Sequence, residues 1–210
     1  DLRDGEAVAR LVQETSPSAV IHLAAVLPPF SEAPGAPTEA VNRDGSRNLI
    51  QALTQHAPNA RLVLASSYAV YGPQHPGAPG PDGRPAPTLL RADSPTNPVD
   101  RYGLSKLAAE QLVAASGLPF VVLRLGAVVP FDNRLDSLLT LRMLFEIPWD
   151  GLRHAVDPRD AGLAFARAAS VPDAVGRTLL IAGDASFRTQ HGPSMARQLE
   201  QRGLPAMPYE

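Results

Sequence analysis

The sequence predicts an α/β fold organised on a doubly wound parallel sheet, and three features carry that prediction. Arg61–Ser67 and Phe120–Leu125 are apolar runs of strand length, and residues 19–26 form a third, interrupted only by His22. Runs without polar alternation belong to strands covered on both faces. Between them lie segments whose apolar residues recur at helical spacing. Strand alternating with helix is the arrangement of parallel strands joined by crossover helices.

Taken in order, Asp4 stands at an N-cap position before residues 5–14, where Ala7, Val8, Leu11 and Val12 make one helical stripe. The apolar run 19–26 follows, and Pro28 and Pro29 end it. From residue 37 to 56, Val41, Gly45, Leu49 and Leu53 repeat every four residues and predict one long helix, in which Gly45 lets a neighbour approach closely. The strand Arg61–Ser67 ends in two hydroxyls. Residues 73–98 are rich in Pro and Gly, and a loop of that length in a compact domain is functional or mobile more often than neutral. A helix follows Pro98, with Leu104, Leu107, Ala108 and Leu112 as its expected apolar stripe and Gly117 closing it. Beyond Phe120–Leu125, a helix is expected at 136–145. Another is expected from Asp157-Pro158-Arg159-Asp160 to Ser170, with Asp as N-cap and Pro at the first helical position. A strand at 177–182 and a closing helix at 193–201 complete the pattern.

Composition removes several classes of function. Nineteen Lys plus Arg against twenty-one Asp plus Glu give a net charge of −2, which supplies no basic footprint for nucleic acid and no polybasic membrane patch. The chain has no cysteine, and its five histidines, His22, His56, His75, His154 and His191, show no ligand spacing, so no metal site is expected. No apolar run nears the roughly 20 residues of a spanning helix and no signal-like segment opens the chain, so a soluble, cytoplasmic protein is expected. Residue 1 is Asp, as processing, cloning or a missing beginning would leave it.

Tyr102 and Lys106 stand four residues apart, so on a helix they project from one face about 6 Å apart along the axis. A phenol ionises near pH 10, and a fixed ammonium beside it is expected to favour the phenolate and bring it within range for proton transfer. Lys106 is the only lysine in a chain that otherwise uses arginine. A compact point charge and a planar guanidinium are not interchangeable, which singles this position out. Ligands of parallel sheets bind beyond the carboxyl ends of the strands. There Ala24 and Ala25, Ser66 and Ser67, and residues 125–128 are expected to converge.

In this order the landmarks resemble the extended short-chain dehydrogenase/reductases, a family of NAD-dependent sugar-nucleotide epimerases and related reductases. Ile21-His22-Leu23-Ala24-Ala25 is similar to the family's H-x-A-A/G turn, and Asn42-Arg43-Asp44-Gly45 to its N-x-x-G segment. Ser66-Ser67-Tyr68-Ala69-Val70-Tyr71-Gly72 looks like S-S-x-x-V-Y-G, and Tyr102, Lys106 and Glu110 fall on Y-x-x-x-K-x-x-x-E. The resemblance implies a Rossmann-like doubly wound parallel sheet. It divides the chain into an NAD(P)-binding portion at 1–130 and a smaller substrate-binding portion at 131–210, some of whose segments return to the sheet. It also implies NAD or NADP as cofactor and a small-molecule substrate, with hydride transfer at a secondary alcohol or ketone by an epimerase or reductase. The substrate would be a nucleotide sugar or a smaller hydroxy or keto compound. A sensor or scaffold that binds cofactor without turnover, and an inactive fragment, are the alternatives.

Residue by residue, the resemblance makes Ser67 the hydroxyl that holds the substrate oxygen, Tyr102 the proton donor or acceptor, Lys106 its tuning partner and ribose ligand, and Asn42 the supporting asparagine. It lays the cofactor along Asp1, Leu2, Leu23, Ala24, Ala25, Asn42, Ala65, Ser66, Tyr102, Lys106, Leu125, Ala127 and Val128. Ser67, Tyr68 and Arg153 would meet the substrate, Arg153 at a nucleotide's phosphates. A homodimer through the helices of 37–56 and 99–116 is usual for the family.

The departures are informative. The glycine fingerprint G-x-x-G-x-x-G and the first three strands are absent, so the sheet is expected to be N-terminally incomplete. The run 19–26 would then present an apolar edge, and the chain alone is expected to aggregate. Tyr68-Ala69 stands where dehydratases of the family carry Asp-Glu, which argues against dehydration. Ala127 stands where its epimerases usually place Asn.

Overall fold

A computed structural model describes residues 1–73, 90–128 and 155–183 of the chain. In order they form α1 (Gly5–Thr15), β1 (Ala19–His22), α2 (Gly45–His56), β2 (Arg61–Ser67), α3 (Arg101–Ala114), β3 (Phe120–Leu125), β4 (Ala127–Val128), β5 (Ala155–Val156), α4 (Pro158–Ser170) and β6 (Arg177–Ile181). Short 3₁₀ turns occupy Phe30–Glu32, Tyr68–Tyr71 and Pro172–Ala174, and a π-helical turn, Glu39–Asp44, leads into α2. The expected helices at 136–145 and 193–201 lie outside the described residues.

The chain divides into two compact units, residues 1–125 with 159–181 and residues 126–158 with 182–210. In the first, four strands run parallel in the order β1-β2-β3-β6. The lack of polar alternation in β2 has its cause here, because successive side chains of a strand point to opposite faces and both faces are covered. Leu62 and Leu64 pack with Val8 and Val12 of α1, Leu49 and Leu53 of α2, and Ala109 and Val113 of α3. Val63 and Ala65 pack on the other side with Leu123 of β3 and Phe165 and Ala168 of α4. Arg61, at the start of β2, donates to the carbonyls of Ala168 at 3.1 Å and Val171 at 2.8 Å, closing the end of α4 where carbonyls lack helical partners. In the second unit β4 and β5 pair in parallel, Ala127 with Ala155 and Val128 with Val156.

Apart from ends that shift by one residue, three features differ from the sequence reading. β1 stops at His22 rather than running to residue 26, because the main chain of Val26 pairs with the Asn42 side chain instead of a neighbouring strand. The helix expected over 37–56 is interrupted by the π turn, in which the Gly45 N–H reaches the Ala40 carbonyl five residues back. Gly45 does admit a neighbour, since a Cβ there would stand 2.8 Å from Leu2 Cβ. On α3 the expected apolar stripe is not the buried face. Leu104 is 52% exposed, whereas Gly103, Ser105, Lys106, Ala109, Glu110 and Val113 are buried. Polar side chains occupy that face because each has a partner there, as burial requires.

Candidate active site

The start of α3 is held from several sides. Asp100 accepts the Gly103 N–H at 2.6 Å as the N-cap. Glu32, from the loop after β1, accepts the N–H groups of Arg101 at 3.0 Å and Tyr102 at 3.1 Å. A carboxylate at this end of a helix also meets the positive pole of its dipole. Ser31 donates to Glu32 at 2.7 Å, and Thr38 donates to the Ser31 carbonyl at 2.7 Å, both residues being fully buried. Arg101 returns the contact with two bonds to Glu39, at 3.2 and 2.8 Å, and others to the carbonyls of Ala33 and Ala36. Loop and helix start therefore form one hydrogen-bonded piece.

The turn after β2 comes equally close. A Cβ at Gly103 would lie 2.7 Å from the Ala69 carbonyl oxygen, and one at Gly72, whose φ is +66°, would lie 1.8 Å from the Asn97 oxygen. Only glycine satisfies both the space and the backbone at Gly72. Ser67 accepts the Ala69 N–H at 3.1 Å, so its hydroxyl proton is available to another oxygen. The Ser67 hydroxyl is also a neighbour of the Tyr102 phenol and favours its ionised form.

Burial pushes Tyr102 up to about 12, against the neighbouring Ser67 hydroxyl, which lowers it, and with Asp100 and Tyr68 adding to the rise. Lys106 is pushed down to about 8 by burial, with the Glu110 carboxylate opposing. Its ammonium donates to the Ala65 carbonyl at 2.9 Å and stands 5.7 Å from the centre of the Tyr102 ring. The expectation that the ammonium would draw Tyr102 toward the phenolate is overturned. Both groups are buried, burial favours the neutral form of each, and Lys106 is not among the groups that shift Tyr102.

Asn42 is 1% exposed and fully engaged. Its carbonyl oxygen accepts the Val26 N–H at 2.7 Å, and its amide donates to the Val26 carbonyl at 3.1 Å and to Ser105 Oγ at 3.0 Å. Ser105 donates in turn to the Tyr102 carbonyl at 2.7 Å. Behind this, Ser66 donates to Glu110 at 2.5 Å, and Glu110 pairs with Arg124 through bonds of 3.0 and 2.7 Å. Arg124 also donates to the Ala92 carbonyl at 2.9 Å and lies 4.9 Å from the centre of the Tyr71 ring. Burial would lower the Arg124 guanidinium, but Glu110 and Tyr71 outweigh it and raise it.

The structure thus brings together Ser67, Tyr102, Lys106, Ala65 and, through Ser105, Asn42. Ser66 is beside them in sequence, but its hydroxyl is turned to Glu110. Leu23 and Ala24 are exposed just past β1, Ala25 and Tyr68 are half-buried, and Leu125 ends β3. Asp1 is engaged by Arg3, and Leu2 meets Gly45 and accepts the Asn48 amide at 2.8 Å. Ala127 and Val128 form β4 in the second unit. Arg153 lies outside the described residues. Glu32, Arg101, Ser46, Ser105 and Arg124 escaped the sequence reading. Ser46 and Ser105 had a signal, standing four residues after Asn42 and one before Lys106, but the others act across long sequence separations. Among the described residues no group of three or more His, Asp or Glu could hold a metal ion, and no helix is long and apolar enough to cross a membrane.

Known proteins resemble this chain in sequence and in fold. D-erythronate dehydrogenase of Cupriavidus necator is 34% identical over 114 residues, 54% of this chain and 32% of that protein. UDP-glucose 4-epimerase of Azospirillum brasilense is 32% identical over 137 residues, 63% of this chain and 36% of that protein. The chain spans about a third of the length of these curated relatives. The solved structure of MoeE5 in complex with UDP-glucose and NAD matches with a TM-score of 0.72 and 25% identity, over 98% of this chain and 68% of MoeE5. Residues 1–137 match the NAD dependent epimerase/dehydratase family, well over half of the sequence, and the chain belongs to that family.

Proposed function

We propose that this chain carries the catalytic groups of an NAD(P)-dependent oxidoreductase or epimerase acting at a secondary alcohol or ketone carbon. The observation that carries the reading is the only lysine of the chain, Lys106, buried with its ammonium 5.7 Å from the centre of the Tyr102 ring, beside the strand end that carries Ser67. Ser67, already accepting from Ala69, has its proton to give to a substrate oxygen. Tyr102, raised to about 12, stays a phenol at neutral pH and is a proton donor to that oxygen in the direction of carbonyl reduction.

The residues fit a nicotinamide cofactor. The Lys106 ammonium has three donors and one acceptor among the described residues, the Ala65 carbonyl, so two buried N–H groups are available for ribose hydroxyls. Small side chains at Ala24 and Ala25, past the end of β1, leave room for a ligand at the carboxyl edge of the sheet. When bound, the nicotinamide supplies or accepts the hydride. Ser67 and Tyr102 would orient the alcohol oxygen and move its proton, and Lys106 would hold the ribose.

Tyr68-Ala69 offers no acid beside Ser67 to assist loss of water, which favours simple oxidoreduction or epimerisation over dehydration. Between a nucleotide sugar and a smaller hydroxy acid we favour the smaller, since D-erythronate dehydrogenase is among the curated relatives. The reading is tested by presenting D-erythronate with NAD or NADP, and UDP-glucose with NAD, to the protein. Reduced cofactor from D-erythronate supports it. Conversion of UDP-glucose to its 4-epimer would move the assignment to an epimerase. Cofactor binding without turnover of either would favour the sensor or scaffold.

A further inference from the structure

One buried titratable group has no task in the chemistry above. His22, at the end of β1, is 5% exposed, and its Nε2 lies 2.9 Å from Ser46 Oγ. The Ser46 hydroxyl lies 2.6 Å from the Asn42 main-chain carbonyl, which only accepts, so the single hydroxyl proton is committed there. His22 Nε2 must then carry the hydrogen of the His22–Ser46 bond. Burial holds the ring down to about 4, with the Lys106 charge adding to the effect, so the imidazole is neutral and has one proton to place.

Every direction in the network follows. His22 donates to Ser46, and Ser46 to the Asn42 carbonyl. The Asn42 amide donates to Val26 and Ser105, and Ser105 to the carbonyl of Tyr102. All four side chains are at least nine-tenths buried, so an unmatched donor or acceptor anywhere would be expensive. The Asn42 carbonyl belongs to the π turn, a local departure from helix that needs support from outside the helix.

We propose that His22 is a positioning residue: its Nε2–H holds Ser46 on the Asn42 carbonyl, and so fixes the amide that Asn42 presents to Val26 and, through Ser105, to the main chain of Tyr102. Its catalytic meaning rests on the function proposed above, but its test needs no turnover. Glutamine can place an amide N–H near the Nε2 position, whereas asparagine reaches only the Nδ1 position. His22→Gln should therefore preserve the network and His22→Asn should break it.

Nitrogen NMR of the imidazole in the unaltered protein should find the proton on Nε2. Exchange of the Val26 N–H and the Asn42 side-chain amide should stay slow in His22→Gln and rise about tenfold in His22→Asn, as loss of one buried hydrogen bond implies. Exchange at Val8 and Val12 of α1 should not change. A proton on Nδ1, equal exchange in the two variants, or an equal rise in α1 would overturn the proposal. A protein that turns over no alcohol or ketone would remove the proposed function and leave this result to be judged on exchange alone.

Discussion

Glu32 accepts the backbone N–H of Tyr102 at 3.1 Å from seventy residues away in sequence. The loop after β1 and the start of α3 are thereby joined at the residue proposed to carry the proton. Removing the carboxylate in Glu32→Ala should loosen the first turn of α3 without unfolding the sheet. Amide exchange at Arg101 and Tyr102 should rise about fivefold, the usual consequence of losing a helix-capping acceptor. Unchanged exchange there would mean that Asp100 caps the helix alone.

Two glycines should respond oppositely to alanine. A Cβ added at Gly162, in α4, would meet nothing within 4 Å, so Gly162→Ala should stabilise by up to about 1 kcal/mol through helix propensity. Gly103 is also helical, but its Cβ would stand 2.7 Å from the Ala69 oxygen and 2.9 Å from Pro98 Cβ. Overpacking of about 1–3 kcal/mol outweighs the propensity gain, and Gly103→Ala should destabilise. Urea midpoints of the two variants measure both signs.

The Glu110–Arg124 pair is buried, with both side chains under a tenth exposed. Glu110→Gln leaves the guanidinium without its counter-charge and should destabilise by about 3–5 kcal/mol. Arg124→Met in the same chain should recover part of the loss, because it removes the stranded charge. A double-mutant cycle by urea unfolding reads the coupling, and strict additivity would contradict it.

The pH dependence should separate chemistry from stability. The Lys106 ammonium is lost as pH rises through about 8, so the rate should have an alkaline limb near that value, whereas Tyr102 keeps its proton to about 12. The unfolded lysine titrates at 10.5, so between about 8 and 10.5 the unfolded state holds the extra proton and the Lys106 contribution to stability rises with pH. His22 acts at the other end. Its folded value of about 4 lies below the unfolded 6.5, so its contribution is present above 6.5 and is lost as pH falls toward 4. Rate and urea midpoint measured across both windows check each sign.

The sheet was legible in the sequence where burial on both faces leaves no polar alternation. Arg61–Ser67 and Phe120–Leu125 were read to the residue, and α1 was read from its Asp4 cap, although of its expected stripe only Val8 and Val12 are buried and Leu11 is 59% exposed. The end of β1 and the π turn were not legible, because the Asn42 side chain takes the main-chain bonds of Val26 across sixteen residues. The apolar stripe on α3 misled for a related reason. Ser105, Lys106 and Glu110 are buried by partners supplied from elsewhere, and periodicity registers apolar faces only. The direction of the Tyr102 shift was also missed. Spacing along a helix reveals a neighbouring charge, but not how deeply both groups are buried.

The most direct test of the proposed chemistry is Tyr102→Phe, which removes one oxygen and keeps the ring. Hydride transfer on the substrate identified by the cofactor assay should fall by about a hundredfold or more, in the range of general acid–base catalysis. Cofactor affinity, resting on Lys106 and the strand ends, should stay within about twofold, too small a change for a lost hydrogen bond. An unchanged rate would remove Tyr102 from the chemistry, and with it the proposed function.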